Sequence, residues 1–248
     1  MIRLFASDLH LDPSRPDITD QFLEFLQGPA REAQALYLLG DLFEAWLGDD
    51  APDPLGERLA AALARLADSG TAVFVMQGNR DFLLGEAFCR RAGAQWLPDP
   101  VVARFGTTRV LLTHGDALCT GDAAYQRLRA LVRDPVVQRR FLAMPLERRR
   151  ALAMQARAGS RQHLRQAEEY ITDVDPATVV EVLRKAGVDT LLHGHTHRPG
   201  IHRLEVDGRP ATRIVLGDWH ERGSVLRWND AGYELVELTR RPAPPSET

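Results

Sequence analysis

Five times along this 248-residue chain a short apolar run gives way at once to a cluster of Asp, Asn, Gly and His. The clusters read Ser7-Asp8-Leu9-His10, Gly40-Asp41, Gly78-Asn79-Arg80-Asp81, His114-Gly115-Asp116 and His193-Gly194-His195-Thr196-His197. The runs before them, at 2–6, 35–39, 72–76, 110–113 and 190–193, have the length and the β-branched or aromatic content of buried strands. Helical patterns at 20–28 and 54–69, the second closed by Gly70, separate the first three runs. Strand alternating with helix predicts an α/β fold with a largely parallel sheet. In such sheets ligands bind in the crevice outside the carboxyl ends of the strands, which is where every one of these clusters falls.

The remainder of the chain is organised differently. From 122 to 187 it reads as helix, interrupted at Pro135, Pro145, Gly159 and Pro176. Strands are expected again at 202–206, 212–216, 224–228 and 234–238. The helical block, at about 122–168, is expected to be an insertion into one domain spanning 1–240, with a Pro-rich, disordered tail at 241–248. Inside a chain of net charge −3, the block from Asp122 to Glu168 holds eleven arginines against four acidic residues. The overall acidity argues against a nucleic-acid coat protein, which usually carries a basic excess. Two cysteines, Cys89 and Cys119, make no disulfide framework and fit a reducing compartment. The start, MIRLFASDLHLD, is charged by its eighth residue and cannot be a secretory apolar core, and no run is long enough to span a bilayer. The expectation is a cytoplasmic protein.

Imidazole, carboxylate and amide donors without thiolates suit divalent ions such as Mn²⁺, Fe²⁺ or Zn²⁺ rather than a structural zinc. Asp8 and His10, two apart on an extended strand end, can face the same side, and so can His195 and His197. Asp41 has two oxygens with which to bridge two ions. The glycines at 40, 78, 115 and 194 allow sharp turns and close packing around a crowded site. Taken singly, a D-x-H, a GD after a strand or a histidine-rich turn is commonplace and can be a solvated loop. Five in order, each directly after a strand, argue for a metal site.

The ordered set D-x-H, GD, GNRD, HGD and HGHTH resembles the calcineurin-like metallophosphoesterase superfamily from Asp8 to His197. That resemblance implies a four-layer sandwich of two mixed β-sheets flanked by helices. It implies one metal held by Asp8, His10, Asp41 and His197, and a second held by Asp41, Asn79, His114 and His195. A water shared between such ions loses a proton near neutral pH and attacks phosphorus in line. Arg80 stands where many members carry a His that protonates the leaving group. Its guanidinium does not give up a proton, so it is expected to neutralise phosphate charge, with Asp41, Asn79 and His114 as the other catalytic residues. That favours a leaving group needing no acid, such as the phosphomonoester released from a pyrophosphate. The competing reading is that Arg80 pairs with Asp81 or another neighbour.

The longer strings FASDLHLD, LYLLGDLFEAWLGDD, GNRDFLLG, LLTHGDALCTGDAAYQ and VLGDWHERGS resemble the UDP-2,3-diacylglucosamine hydrolase family of lipid A biosynthesis. That resemblance implies Mn²⁺ as the preferred metal and cleavage at the α-phosphorus, giving UMP and 2,3-diacylglucosamine 1-phosphate. Substrate contacts carry over to Asn79, Arg80, Asp122, Ser160 and His195, and the acyl and glucosamine pocket to Tyr125, Phe141, Ala153 and Arg157. Leu164 and Ala167 depart from the family, which offers Asn and Lys there; Arg161, His163 and Arg165 are the nearby polar side chains. The implied partners are UDP-2,3-diacylglucosamine and the cytoplasmic face of the inner membrane, touched peripherally by the Arg-rich, greasy segment 136–157, with no nucleic acid and no obligate protein partner. The bland reading of that segment is a helical cap with solvated arginines. Two other functions stay open: a phosphodiesterase or pyrophosphatase acting on another nucleotide or nucleic acid, and a non-catalytic scaffold of the same fold. His202 and His220 are expected to be structural, His220 being the stronger candidate for an exception because its loop follows a core strand, and Asp116 is expected to orient His114 or cap a turn.

Overall fold

The computed structural model describes residues 1–51, 54–166, 173–220 and 222–238, and side chains within these except those of 157–166. The expected tail at 241–248 lies outside the described residues, as does Ala167. Strands β1 (Arg3–Ala6), β2 (Ala35–Leu39), β3 (Ala72–Met76) and β4 (Ala94–Leu97) run parallel in one sheet. Its other edge is the antiparallel pair β10 (Gly223–Asn229) and β11 (Gly232–Leu238), in the order β11-β10-β1-β2-β3-β4. The second sheet has the order β5-β6-β7-β9-β8, from β5 (Val101–Phe105), β6 (Thr108–Leu112), β7 (Thr190–His193), β8 (Gly200–Val206) and β9 (Arg209–Val215). There β6, β7 and β9 are mutually parallel and the two edges antiparallel.

The side-chain period of two along β1 and β2 sorts their residues between two cores. Leu4, Ala6, Leu36 and Leu38 face the helical layer, packing with Ile18, Phe22 and Leu26 of α1 (Pro16–Gln27) and Leu59 and Leu63 of α2 (Pro54–Asp68). Phe5, Tyr37 and Leu39, with Trp228 of β10, face the second sheet, against Phe105, Val110, Leu192 and Ile214. Strands buried on both faces have to be apolar throughout, which is why they read as continuous runs. On the far side of the second sheet, α7 (Pro176–Ala186) packs Val179 and Leu183 against Leu111 and Leu191. The layers are therefore helix, sheet, sheet, helix, as expected.

Between β6 and α7 lie α4 (Ala123–Val132), α5 (Pro135–Leu142) and α6 (Leu146–Gln166). Asp122 and Asp134 cap the first two, accepting from Tyr125 N and from Val136 N and Val137 N. The interruption expected at Gly159 does not occur, since α6 runs through it. Glycine costs a helix interior only about 1 kcal/mol relative to alanine, which a long helix absorbs. A short α3 (Glu86–Arg91), β4 and β5 have no counterpart in the sequence reading.

Candidate metal centre

All five clusters meet at one end of the two sheets, those after β1, β2 and β3 from the first and those after β6 and β7 from the second. The backbone there is bent hard. Asp8, His10, Asp41, His195 and His197 all have positive φ, between 48° and 69°, and Asp207 is the other non-glycine described residue that does. A left-handed non-glycine residue carries strain that persists only where its surroundings impose it, so five at one crevice mark a functional constraint. The crowding explains two glycines. A Cβ on Gly78 would run into the Asp41 carboxylate, and one on Gly194 into Asp8 and the Ser7 hydroxyl.

Two groups of donors result. In the first, Nε2 of His10 and Nε2 of His197 meet at 3.2 Å, and Asp8 Oδ1 lies 3.9 and 3.4 Å from them. Asp41 Oδ2 is 3.7 Å from His10 Nε2 and Asp41 Oδ1 is 3.7 Å from His114 Nε2, so Asp41 faces both groups. In the second, Asn79 Oδ1 sits 2.8 Å from both His114 Nε2 and His195 Nδ1. Second contacts hold these side chains in place. The Leu39 carbonyl takes His114 Nδ1 at 2.9 Å, and Asp8 Oδ2 accepts from Ser7 Oγ and from His195 N. Asp81 accepts from the backbone N–H groups of Gly78, Asp41 and Leu42, which fixes the β3 loop against the β2 loop.

The charge state is that of a site built around cations. Burial opposes charge on His114, but Asp41, Asp8 and Asp116 outweigh it and push its pKa up to about 9. Burial likewise opposes charge on His197, yet Asp218 and Asp8 push it up to about 10. His195 goes the other way, pushed down to about 4 by burial and by His114. Burial alone would raise Asp8, but His197, His114 and His10 hold it well below the usual carboxylate range. Protons on two imidazoles thus stand in for metal charge. Asp8 Oδ1, fully buried, has no hydrogen-bond partner. An orphaned carboxylate oxygen among converging imidazole nitrogens, all within ligand reach, fits a divalent metal.

Beside the centre lies a largely apolar cavity of about 380 Å³. Asn79, Arg80 and Asp116 line its inner end, and Trp46, Phe82, Leu128, Phe141 and Ala153 its walls. Tyr125 also lines it, with its ring stacked on His195 at a centroid distance of 6.0 Å. Of the expected substrate contacts, Asn79, Arg80, Tyr125, Phe141 and Ala153 border this cavity and His195 adjoins it, while Asp122 serves as the α4 cap. Arg157, Ser160 and Leu164 lie outside the described side chains. Arg80 does not pair with Asp81: its backbone N–H donates to Asp41 Oδ1 at 2.7 Å, and its Nη1 lies 3.9 Å from Glu44.

Some expectations need correcting. Asp116 does not orient His114, whose ring is held by Leu39. Instead it accepts from Tyr125 Oη and Arg129 Nε at 2.8 Å each, and with Arg133, which donates to the Gly78 carbonyl, ties α4 to the centre. His220, the stronger candidate for an exception to a structural role, does stand at the site, stacked on His10 with centroids 5.5 Å apart. Sequence reasoning passed over Glu44, at 3.1 Å from His10 Nδ1, and Asp218, at 3.0 Å from His197 Nδ1. A faint signal existed, since each acid lies in a loop directly following a core strand.

Residues 3–199 match the model of the calcineurin-like phosphoesterase family. A UDP-2,3-diacylglucosamine hydrolase of Stenotrophomonas maltophilia is 54% identical over 97% of this chain and 100% of its own length. Relatives of the same name from Xanthomonas axonopodis pv. citri and Pseudomonas putida are 54% and 51% identical, over 96% and 94% of this chain and 99% and 97% of theirs. A solved structure described as a novel archaeal phosphodiesterase aligns with 96% of this chain and 100% of its own at 14% identity, with a TM-score of 0.47.

Proposed function

The chain belongs to the calcineurin-like phosphoesterase family, and we propose that it is a metal-dependent hydrolase of the pyrophosphate bond of UDP-2,3-diacylglucosamine, the activity its relatives' name describes. Hydrolysis at the α-phosphorus gives UMP and 2,3-diacylglucosamine 1-phosphate, a step of lipid A synthesis. The observation that carries this reading is the seam between the donor cluster and the cavity. Asn79 belongs to both, and Arg80 lines the cavity while its N–H is bonded to Asp41, so a diphosphate held at the cluster leaves its acylated sugar at an apolar opening. Nucleotides without acyl chains have no use for such walls.

The reading assigns two divalent ions, with Mn²⁺ as the metal, to the two donor groups. Asp8, His10, Asp41 and His197 hold one, and Asp41, Asn79, His114 and His195 the other. When bound, the pair supplies positive charge against the phosphoryl oxygens and makes water acidic enough to react at neutral pH. The chain's own residues do the rest. Arg80 neutralises the diphosphate by charge-assisted hydrogen bonds and, staying protonated, acts as no acid. The leaving group needs none: the P–O bond to the bridging oxygen breaks as the new one forms, and the departing phosphomonoester is stable as an anion. Tyr125, Phe141, Ala153 and Arg157 line the acyl and glucosamine pocket, and Asp122, Ser160 and His195 are further substrate contacts. Residues 122–168 act as an insertion capping the single domain.

The substrate is lipidic, and the insertion suits a lipid surface. Leu128, Leu131, Val136, Leu152 and Met154 are exposed on α4 to α6 among the arginines of the same segment. No helix among the described residues is long and apolar enough to cross a membrane. We read the protein as a peripheral enzyme of the cytoplasmic face of the inner membrane. The decisive test is a metal-dependent assay on UDP-2,3-diacylglucosamine in ¹⁸O-labelled water. The expected result is UMP as product, carrying the label. Label in the lipid phosphate would move the attack to the β-phosphorus, and turnover of ADP-ribose or short DNA in place of the diacylated substrate would refute the substrate assignment.

A further inference from the structure

The two donor groups differ in what stands behind their imidazoles. Glu44 Oε2 lies 3.1 Å from His10 Nδ1, and Asp218 Oδ2 lies 3.0 Å from His197 Nδ1. Both rings therefore turn Nε2 inward, where these atoms meet at 3.2 Å beside the partnerless Asp8 Oδ1. In the other group, His114 is backed by the neutral Leu39 carbonyl at 2.9 Å, and its inward Nε2 meets the amide oxygen of Asn79. One group thus has a carboxylate behind two of its rings. Behind His114 in the other stands a carbonyl, and the Asp116 carboxylate acts on that ring without bonding to it.

From this juxtaposition we infer that Glu44 and Asp218 are positioning residues that make the Asp8, His10 and His197 group the tighter of two metal sites, so that the sites fill in order. The inference rests on the two-metal reading above and adds a ranking to it. At His197 the Asp218 carboxylate accepts the outer ring N–H and fixes the tautomer that keeps a lone pair on the inner nitrogen, whereas Glu44 stands 3.1 Å from His10 Nδ1 without a hydrogen bond to it and acts through its charge. Both carboxylates add negative charge close to the cation. Such partners change metal affinity by about 10- to 100-fold. Glu44 has a second contact that Asp218 lacks: its Oε1 lies 3.9 Å from Arg80 Nη1. The carboxylate that aims a metal ligand therefore also faces the guanidinium assigned to the diphosphate. Asp218 instead accepts from His220 N at 3.0 Å, so its replacement disturbs the metal group and leaves Arg80 in place, whereas replacing Glu44 disturbs metal binding and the placement of Arg80.

The test is a Mn²⁺ titration of the full-length, metal-stripped protein, with free Mn²⁺ followed by electron paramagnetic resonance. The wild type is expected to show a tight and a weak class of site. Glu44→Gln keeps a hydrogen-bond acceptor but no charge, and Asp218→Asn does the same from a different loop, so misfolding of one leaves the other informative. Each should weaken the tight class by about 10- to 100-fold and leave the weak class in place. With Mn²⁺ saturating, Glu44→Gln should also raise KM for the diphosphate substrate, and Asp218→Asn should not. Two equal classes in the wild type, or a tight class unchanged in both variants, overturns the inference while leaving the two-metal reading intact. A wild-type protein that takes up no Mn²⁺ overturns both.

Discussion

Arg149, almost wholly buried on α6, donates from Nη1 and Nη2 to the two carboxylate oxygens of Asp50 at 2.8 and 2.6 Å, and Nη1 also reaches the Leu47 carbonyl at 2.7 Å. This fork fixes α6, the longest of the helices α4 to α6, to the loop after β2, the loop that carries Trp46 and Leu47 along the cavity wall. With the contacts of Asp116 to Tyr125 and Arg129, it fastens this helical segment at two points around the cavity.

Asp50→Ala should therefore loosen the cap without touching the donor cluster. Leaving a guanidinium without its charged partner costs about 1–3 kcal/mol. Part of that is recovered here, because Asp50 itself is largely exposed and water can replace it. A fall in Tm of a few degrees is expected, with a rise in KM for the diacylated substrate and an unchanged Mn²⁺ titration. A loss of metal binding in this variant would contradict the division between cap and centre.

Asp41→Ala should remove nearly all turnover and leave the fold intact. Asp41 faces both groups, at 3.7 Å from His10 Nε2 and from His114 Nε2. Losing the shared ligand forfeits activation of water and charge stabilisation together, which is worth several orders of magnitude in rate. Turnover above about a tenth of wild type, with metal content verified by elemental analysis, would rule out the bridging role.

The clusters could be read from sequence because of how the strands are buried. β1, β2 and β3 are covered on both faces, so their apolar runs end abruptly where the polar crevice begins. β4 offers no such edge: it closes one side of its sheet, and Gln95 and Trp96 are exposed. β5 likewise alternates half-buried and exposed positions. Glu44 and Asp218 were only faintly legible, for another reason. An acid gains its role from the ring it faces, and only folding brings the loop after β9 against the loop after β7. Asp116 misled for the same cause, since its carboxylate bonds to Tyr125 and Arg129 and not to His114, its neighbour in sequence.

Metal loading should release protons, because the metal-free centre holds protons where ligands need lone pairs. His114 and His197 have their pKa values raised to about 9 and about 10, so both are protonated at pH 7. Raised values mean that the protons are present below this range and lost as pH climbs through it. Calorimetric titration with Mn²⁺ at pH 7, in buffers of differing ionisation heat, should therefore show net proton release. The release should shrink, and the apparent affinity rise, as pH is taken from 7 toward 10. A release independent of pH across that window would place the protons elsewhere.

Arg80 is expected to act by charge and not as a proton donor. Its backbone N–H is pinned to Asp41 Oδ1 at 2.7 Å, and its side chain lines the cavity at the end where the donor cluster begins. A guanidinium stays protonated across any working pH, so it can meet phosphate charge and cannot supply a proton. Arg80→Ala should lower kcat/KM by about 100-fold or more, the order expected for one preorganised charge contact. Arg80→Lys should restore only part of this, since a point charge does not reproduce the planar fork. Arg80→His separates the two roles. If the departing phosphomonoester needs no acid, His should serve the diphosphate substrate no better than Lys, yet gain on alkyl phosphodiesters, whose leaving groups benefit from protonation. A His variant equal to wild type on UDP-2,3-diacylglucosamine would show that the leaving group does take a proton. The preference for a pyrophosphate over an ordinary phosphodiester would then have to come from the cavity walls.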